Sequence, residues 1–225
     1  MTLTFTLPDA AAAEDLRTYL ERAARVEDGS ARLIVASGVL AAYTAIIYPV
    51  GLLDEAPTVL GLRTAEVAQS ADFDVVVPLR SLLERIRNAL DASAGVSPIE
   101  VGVPLQVGSV TWAAITPPRT GWVPLPTLSV DSLRQAARAG MSEVAEALPP
   151  SSGDALVRRV RAAVWGRQLT EQDTIPAGAA FAAESLGFLS GAEERVRVFE
   201  SGPWRRLTTA HGHVLAARRA WSSRA

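Results

Sequence analysis

Arginine and aromatic side chains are interleaved along the last part of the chain. Arg195, Arg197, Arg205, Arg206, Arg218, Arg219 and Arg224 lie among Trp204, His211, His213 and Trp221, and Glu200 is the only acid after Glu194. Arginine among aromatics suits contact with phosphate and stacking on bases. Further back, Arg119 and Trp122 bring the same two residue types together. Trp122, Arg119, Arg197, Trp204, Arg205, Arg206, His211 and His213 therefore form the candidate contact surface. Trp112, Trp122 and Trp165 also read as core anchors, because tryptophan buries a large area. Exposed instead, such rings dominate protein hot spots.

Other constellations are thinner. His211 and His213 are the only histidines. In an extended segment residues i and i+2 share a face, but a metal needs a third and usually a fourth ligand, and no acid run is near. Asp72 and Asp74 would share a face of a strand. They read as solvated edge charges rather than as a paired acid and base. Ser151 and Ser152 lie in a linker with no histidine or acid beside them, so neither reads as a nucleophile. No glycine-rich phosphate motif or nucleophile-elbow motif is present. All 22 basic residues are arginine and there is no cysteine. Schiff-base lysine, P-loop lysine and thiolate chemistry are excluded, and no cofactor or metal is expected.

A chain of 225 residues, 48% apolar and 20% charged, has globular composition. It is long enough to bury roughly 70% of its unfolded surface. The net charge of -2 hides an asymmetry. Residues 1-150 carry 17 acids and 11 arginines, and residues 151-225 carry 7 and 11. No apolar run reaches the ~18 residues of a membrane span. The start of the chain lacks a basic region followed by a hydrophobic core. Without that signal and without cysteine, the expected compartment is the cytoplasm.

Leu3 to Leu7 alternates and predicts a strand. Asp9 is placed to cap a helix that runs to about Val26. Residues 31-48 read as a hairpin, with further strands at 58-67 and 72-77. Pro78 opens the clearest helix, with Leu79, Leu82, Leu83, Ile86 and Leu90 on one stripe. Residues 99-107 suggest an edge strand, and 110-115 a better one. That strand leads into a stretch, 110-126, holding two of the five tryptophans and four of the fourteen prolines. We read the stretch as an extended, stiff crossing. Ser129 then caps a helix that ends at Pro149-Pro150-Ser151-Ser152-Gly153, and a third helix follows from Asp154 to about Arg167. A fourth, alanine-rich helix follows Pro176. Strands at 195-200, 204-208 and 213-217 close the chain.

The order helix, helix, hairpin resembles a winged helix-turn-helix. The link from 168 to 176 exceeds its usual short turn. The helix that would read DNA, 177-189, has Glu184 as its only charge, whereas groove reading needs polar donors.

Two further resemblances rest on particular pieces. Thr116-Pro117-Pro118-Arg119-Thr120-Gly121-Trp122, Ala162-Ala163-Val164-Trp165-Gly166, Pro176-Ala177-Gly178-Ala179-Ala180-Phe181-Ala182-Ala183 and Gly212-His213-Val214-Leu215 are four such pieces. On them the chain resembles, over nearly its full length, a family of uncharacterised proteins of high-GC actinobacteria. That resemblance implies a source and no activity. The order strand, helix and several strands, ending in Val77-Pro78-Leu79-Arg80-Ser81-Leu82-Leu83, resembles one repeat of a DNA sliding clamp over residues 1-115. The second half is not expected to repeat the first.

The expected fold is α+β. A mixed, mainly antiparallel sheet with two packed helices covers 1-125, and a helical part over 126-225 ends in a small β-hairpin or meander. The expected function is that of a non-catalytic cytoplasmic binding or scaffolding protein acting through contacts with a protein partner. The alternatives are a nucleic-acid-associated protein using the C-terminal arginines, and an enzyme whose Asp, Glu, Ser and Arg converge only in three dimensions.

Overall fold

Phe5 and Leu7 point inward from strand β1 (Thr4–Leu7) and are fully buried, as the alternation requires. The computed structural model describes residues 3-51, 54-68, 71-108, 110-114, 116-149, 152-191 and 194-217. Asp9 caps helix α1 (Ala10–Val26), its Oδ1 accepting from the Ala12 N–H at 2.8 Å. Asp9→Ala leaves that donor unpaired. It is expected to cost about 1 kcal/mol, read as a lower urea midpoint at an unchanged slope.

The chain forms two compact units, residues 1-45 with 62-114 and residues 46-61 with 115-225. In the first unit, β2 (Ser30–Ala36) and β3 (Val39–Ile47) form the expected antiparallel hairpin. β5 (Phe73–Pro78) pairs antiparallel with the other edge of β2, giving an order of β5, β2, β3 and then β4 (Thr58–Glu66). Helix α2 (Leu79–Ser93) leaves directly from β5. It buries Leu79, Leu82, Leu83 and Ile86, while Leu90 is half-buried. β6 (Ile99–Gly102) pairs with β1 in a separate two-stranded sheet, and α1 packs on α2. The Tyr19 hydroxyl of α1 is buried 2.8 Å from Thr44 Oγ1. That burial pushes its pKa above the ordinary tyrosine value.

The expected strand at 110-115 is corrected. Thr111–Ala114 is a turn of 3-10 helix, with the Ala113 N–H bonded to the Val110 carbonyl at 3.1 Å. Ala113 and Ala114 lack the branched side chains that favour a strand. Trp112 is buried there, and the Ala113 carbonyl accepts from Arg32 Nη1 at 2.8 Å. Ile115 lies outside the described residues.

In the second unit β7 (Val123–Ser129) is an edge strand. Only an edge tolerates Pro124 and Pro126, which lack N–H donors. Ser129 caps α3 (Val130–Ala147), and the break after it separates α3 from α4 (Asp154–Trp165). The link read as a loop from 168 to 176 is instead a small hairpin, β8 (Gln168–Leu169) with β9 (Gln172–Pro176). Its Gln, Asp and Thr residues carry no apolar alternation to announce a strand. α5 (Ala177–Ser185) leaves directly from β9 and packs on α3. β10 (Arg195–Ser201), β11 (Trp204–Thr209) and β12 (Gly212–Ala217) form an antiparallel meander. β7 borders β10. The α+β architecture with its C-terminal meander is therefore present.

In both units strands lead directly into helices. In the first, β1 leads into α1 and β5 into α2; in the second, β7 leads into α3 and β9 into α5. Each unit holds a packed pair of helices beside antiparallel strands. Four strands, β2 to β5, stand between α1 and α2, whereas α4, β8 and β9 stand between α3 and α5, so the element order is not repeated.

Candidate functional site

Arg206 is the residue on which the site is built. It lies mid-way along β11, directly opposite Phe199 of β10 and Leu215 of β12. Its guanidinium carbon is 4.5 Å from the centroid of a Trp122 ring and 4.7 Å from that of Phe199. Both distances are within the reach of a cation–π contact. Gly121, at φ +76°, adopts a left-handed conformation that side chains resist, and this turn leads the chain to Trp122. The Trp122 ring is held by its Nε1–H, which donates to the Pro118 carbonyl at 3.0 Å.

Among the described residues no carboxylate neutralises Arg206. Its Nε is buried without a hydrogen-bond partner, and no acid pairs with it among the described residues. Burial lowers its pKa from the ordinary arginine value, and the nearby charge of Arg197 lowers it further. Arg197 lies two residues before Phe199 on β10, and so on the same face of the sheet as Arg206. It is exposed, with no ion pair among the described residues.

Arg195 and Arg205 are committed to the fold. Arg205 faces the opposite side. It bonds Thr174 Oγ1, the Gly202 carbonyl and the Trp204 carbonyl, each at 3.1 Å, and pairs with Glu200 at 3.2 Å. Arg195 bonds the side chain and carbonyl of Thr127 at 2.6 and 2.9 Å. Arg119 is exposed beside the Trp122 turn. Trp204 is 3% exposed and belongs to the core. Arg218, Arg219, Trp221 and Arg224 lie outside the described residues, as does Ser151.

His213 is half-buried, with Nδ1 3.0 Å from Thr208 Oγ1. His211 sits in the β11–β12 turn rather than in an extended segment, and its N–H donates to Thr209 Oγ1 at 3.1 Å. Among the described residues no three His, Asp or Glu gather as a metal would require. Asp74 is bound twice by Arg32, at 2.8 and 2.6 Å, and Asp72 accepts from the Ser37 N–H at 3.3 Å. Both carboxylates hold the β2–β5 edge. A shallow groove along α3 gathers Asp131, Arg134, Arg138 and Ser142. Its charges are paired internally: Arg134 with Asp131 at 3.5 Å, and Arg138 with Glu184 at 3.8 Å.

The structure thus gathers Trp122, Arg197 and Arg206 from the expected surface and adds Phe199. Sequence reading missed Phe199. The signal was present, because Arg195, Arg197 and Phe199 alternate with the buried Val196 and Val198 along β10.

Residues 1-107 match the family model described as Domain of unknown function (DUF8010), and residues 117-221 match Domain of unknown function (DUF8185). Comparison with curated proteins finds no match. Among solved structures the fold is similar to the DNA polymerase sliding clamp from Caulobacter crescentus, with TM-score 0.53 and 10% identity over 99% of this chain and 67% of that one. It is similar to the DNA polymerase III subunit beta from Pseudomonas aeruginosa, with TM-score 0.52 and 12% identity over 99% and 66% of the two chains. It is also similar to that subunit from Borrelia burgdorferi, with TM-score 0.53 and 8% identity over 96% and 64%. The chain spans about two thirds of the clamp chains' length. At these identities the likeness is one of fold. It extends over both units, further than the residues 1-115 on which the sequence resemblance rested.

Proposed function

We propose that this chain is a non-catalytic cytoplasmic scaffold, and that it engages a protein partner through the face carrying Arg206. The observation that carries this reading is the un-neutralised arginine held against Trp122 and Phe199. Tryptophan and arginine are the residues that most often dominate protein interfaces. Val123, next to Trp122, is 56% exposed and adds apolar area at the edge of the same strand group. The clamp-like fold supports the reading by analogy, since a polymerase subunit works within an assembly. All 22 basic residues being arginine fits a high-GC source.

Nucleic acid is the second partner class considered, and the local geometry favours it less. Arg195 and Arg205 are already spent on internal bonds. The ring surfaces of Trp122 and Phe199 that meet Arg206 are closed to a stacking base.

Affinity capture of the full tagged chain from nuclease-treated cells tests the proposal. A stoichiometric protein is expected with the native chain and is expected to be lost with Arg197→Glu, whose exposed site leaves folding untouched. Recovery that disappears on nuclease treatment, or a partner that Arg197→Glu retains, counts against it.

A further inference from the structure

We propose that Arg197 and Arg206 form a carboxylate-binding site that receives an acidic segment of the partner protein. This rests on the scaffold reading above and names the chemistry of its contact. Two cations share one face of the β10–β11 pair, and neither has an acidic partner among the described residues. Elsewhere this chain pairs its arginines closely: Arg32 with Asp74, Arg63 with Asp15 and Arg167 with Glu143 each meet at 2.6 Å. Arg206 differs from exposed arginines such as Arg158 in that its Nε is buried without a hydrogen-bond partner. Arg197 stands close enough to add to the effect of burial on Arg206, and an anion bound by both would relieve that repulsion.

The geometry selects which anion. Ring contacts hold the Arg206 guanidinium in place, so little rotamer freedom is left to lose on binding. Its Nε is enclosed, which leaves the terminal N–H groups for a ligand. Those groups match the two oxygens of a carboxylate, and Arg197 supplies a second positive group two residues from Phe199 on the same face. A nucleic-acid strand offers phosphates as well, but it draws its sequence-independent affinity from stacking too. Here one face of each ring already carries Arg206. The exposed Val123 and Pro124 at the neighbouring edge suit the apolar side chains of a peptide better than a sugar–phosphate backbone.

The test uses fluorescence anisotropy of the full chain with three labelled probes: hexaglutamate, hexaglutamine and a single-stranded hexanucleotide. Hexaglutamate is expected to bind more tightly than either other probe, with affinity falling as salt rises. Arg197→Ala is expected to weaken it by about tenfold or more. Arg206→Lys keeps the charge but loses the planar fork, and is expected to weaken it similarly. Arg158→Ala, at an exposed arginine of α4, is expected to leave binding unchanged. Tighter binding of the hexanucleotide overturns the inference, and so does hexaglutamate binding that falls equally in the Arg158 variant or survives both site variants. Failure here with partner capture intact removes only the acidic chemistry. Loss of capture in the native chain removes the scaffold reading itself.

Discussion

Trp165→Ala is expected to lower the unfolding free energy by about 3–5 kcal/mol. Trp165 is 2% exposed and stacks on Phe181, with centroids 4.4 Å apart and planes 19° apart. Its ring occupies a slot that only glycine leaves open. A Cβ on Gly140 of α3 would stand 2.2 Å from Trp165 Cζ3, so this wall of the slot is helix backbone, which cannot collapse into the vacated space as a side chain would. The loss therefore includes the cavity as well as the transfer of the indole from water. Gly140→Ala approaches the same slot from the other side. Alanine is the better helix former by about 1 kcal/mol, yet the overlap is expected to win, at a net cost of about 1–3 kcal/mol. Combining Gly140→Ala with Trp165→Leu should cost less than the sum, since the added methyl enters space that the ring has left. Urea unfolding followed by circular dichroism reads all three. A Trp165→Ala loss below about 1 kcal/mol would mean that the ring is not the keystone of the second unit.

In the first unit Phe5→Ala is expected to cost about 3–5 kcal/mol. Phe5 is fully buried, opposite Val101 in the β1–β6 pair, and Leu7 lies opposite Ile99. β1 has four residues and a two-stranded sheet, so its own ladder is short. A two-stranded ribbon is marginal alone and must be held by the side chains it buries. Amide exchange should therefore lose protection first at β1 and β6, while the β2–β3 hairpin keeps it. Protection lost evenly across both pairs, or first from the hairpin, would contradict this assignment of the anchor.

Elements with a regular apolar period were legible in the sequence. The stripe of Leu79, Leu82, Leu83 and Ile86 fixed α2, and the alternation of 3-7 and 195-200 fixed β1 and β10. Caps were legible where the side chain itself accepts, as at Asp9 and Ser129. Two things were not. Thr111–Ala114 had strand-like neighbours but turns because its alanines do not hold an extended chain. β9 is polar and takes its strand character from pairing with β8, which no local pattern encodes. At the site, the residue types were readable but their division of labour was not. Arg205 and Arg206 are adjacent, yet strand alternation sends one to Glu200 and Thr174 and the other to Trp122 and Phe199.

Photo-crosslinking in the native cell tests the scaffold most directly. A benzophenone amino acid at Val123, 56% exposed beside Trp122, is compared with one at Leu156, 45% exposed on α4. The account predicts one protein adduct at position 123, unchanged by nuclease and absent when Arg197→Glu is added, and no such adduct at position 156. Adducts to nucleic acid alone at position 123, or the same protein adduct at both positions, would contradict it.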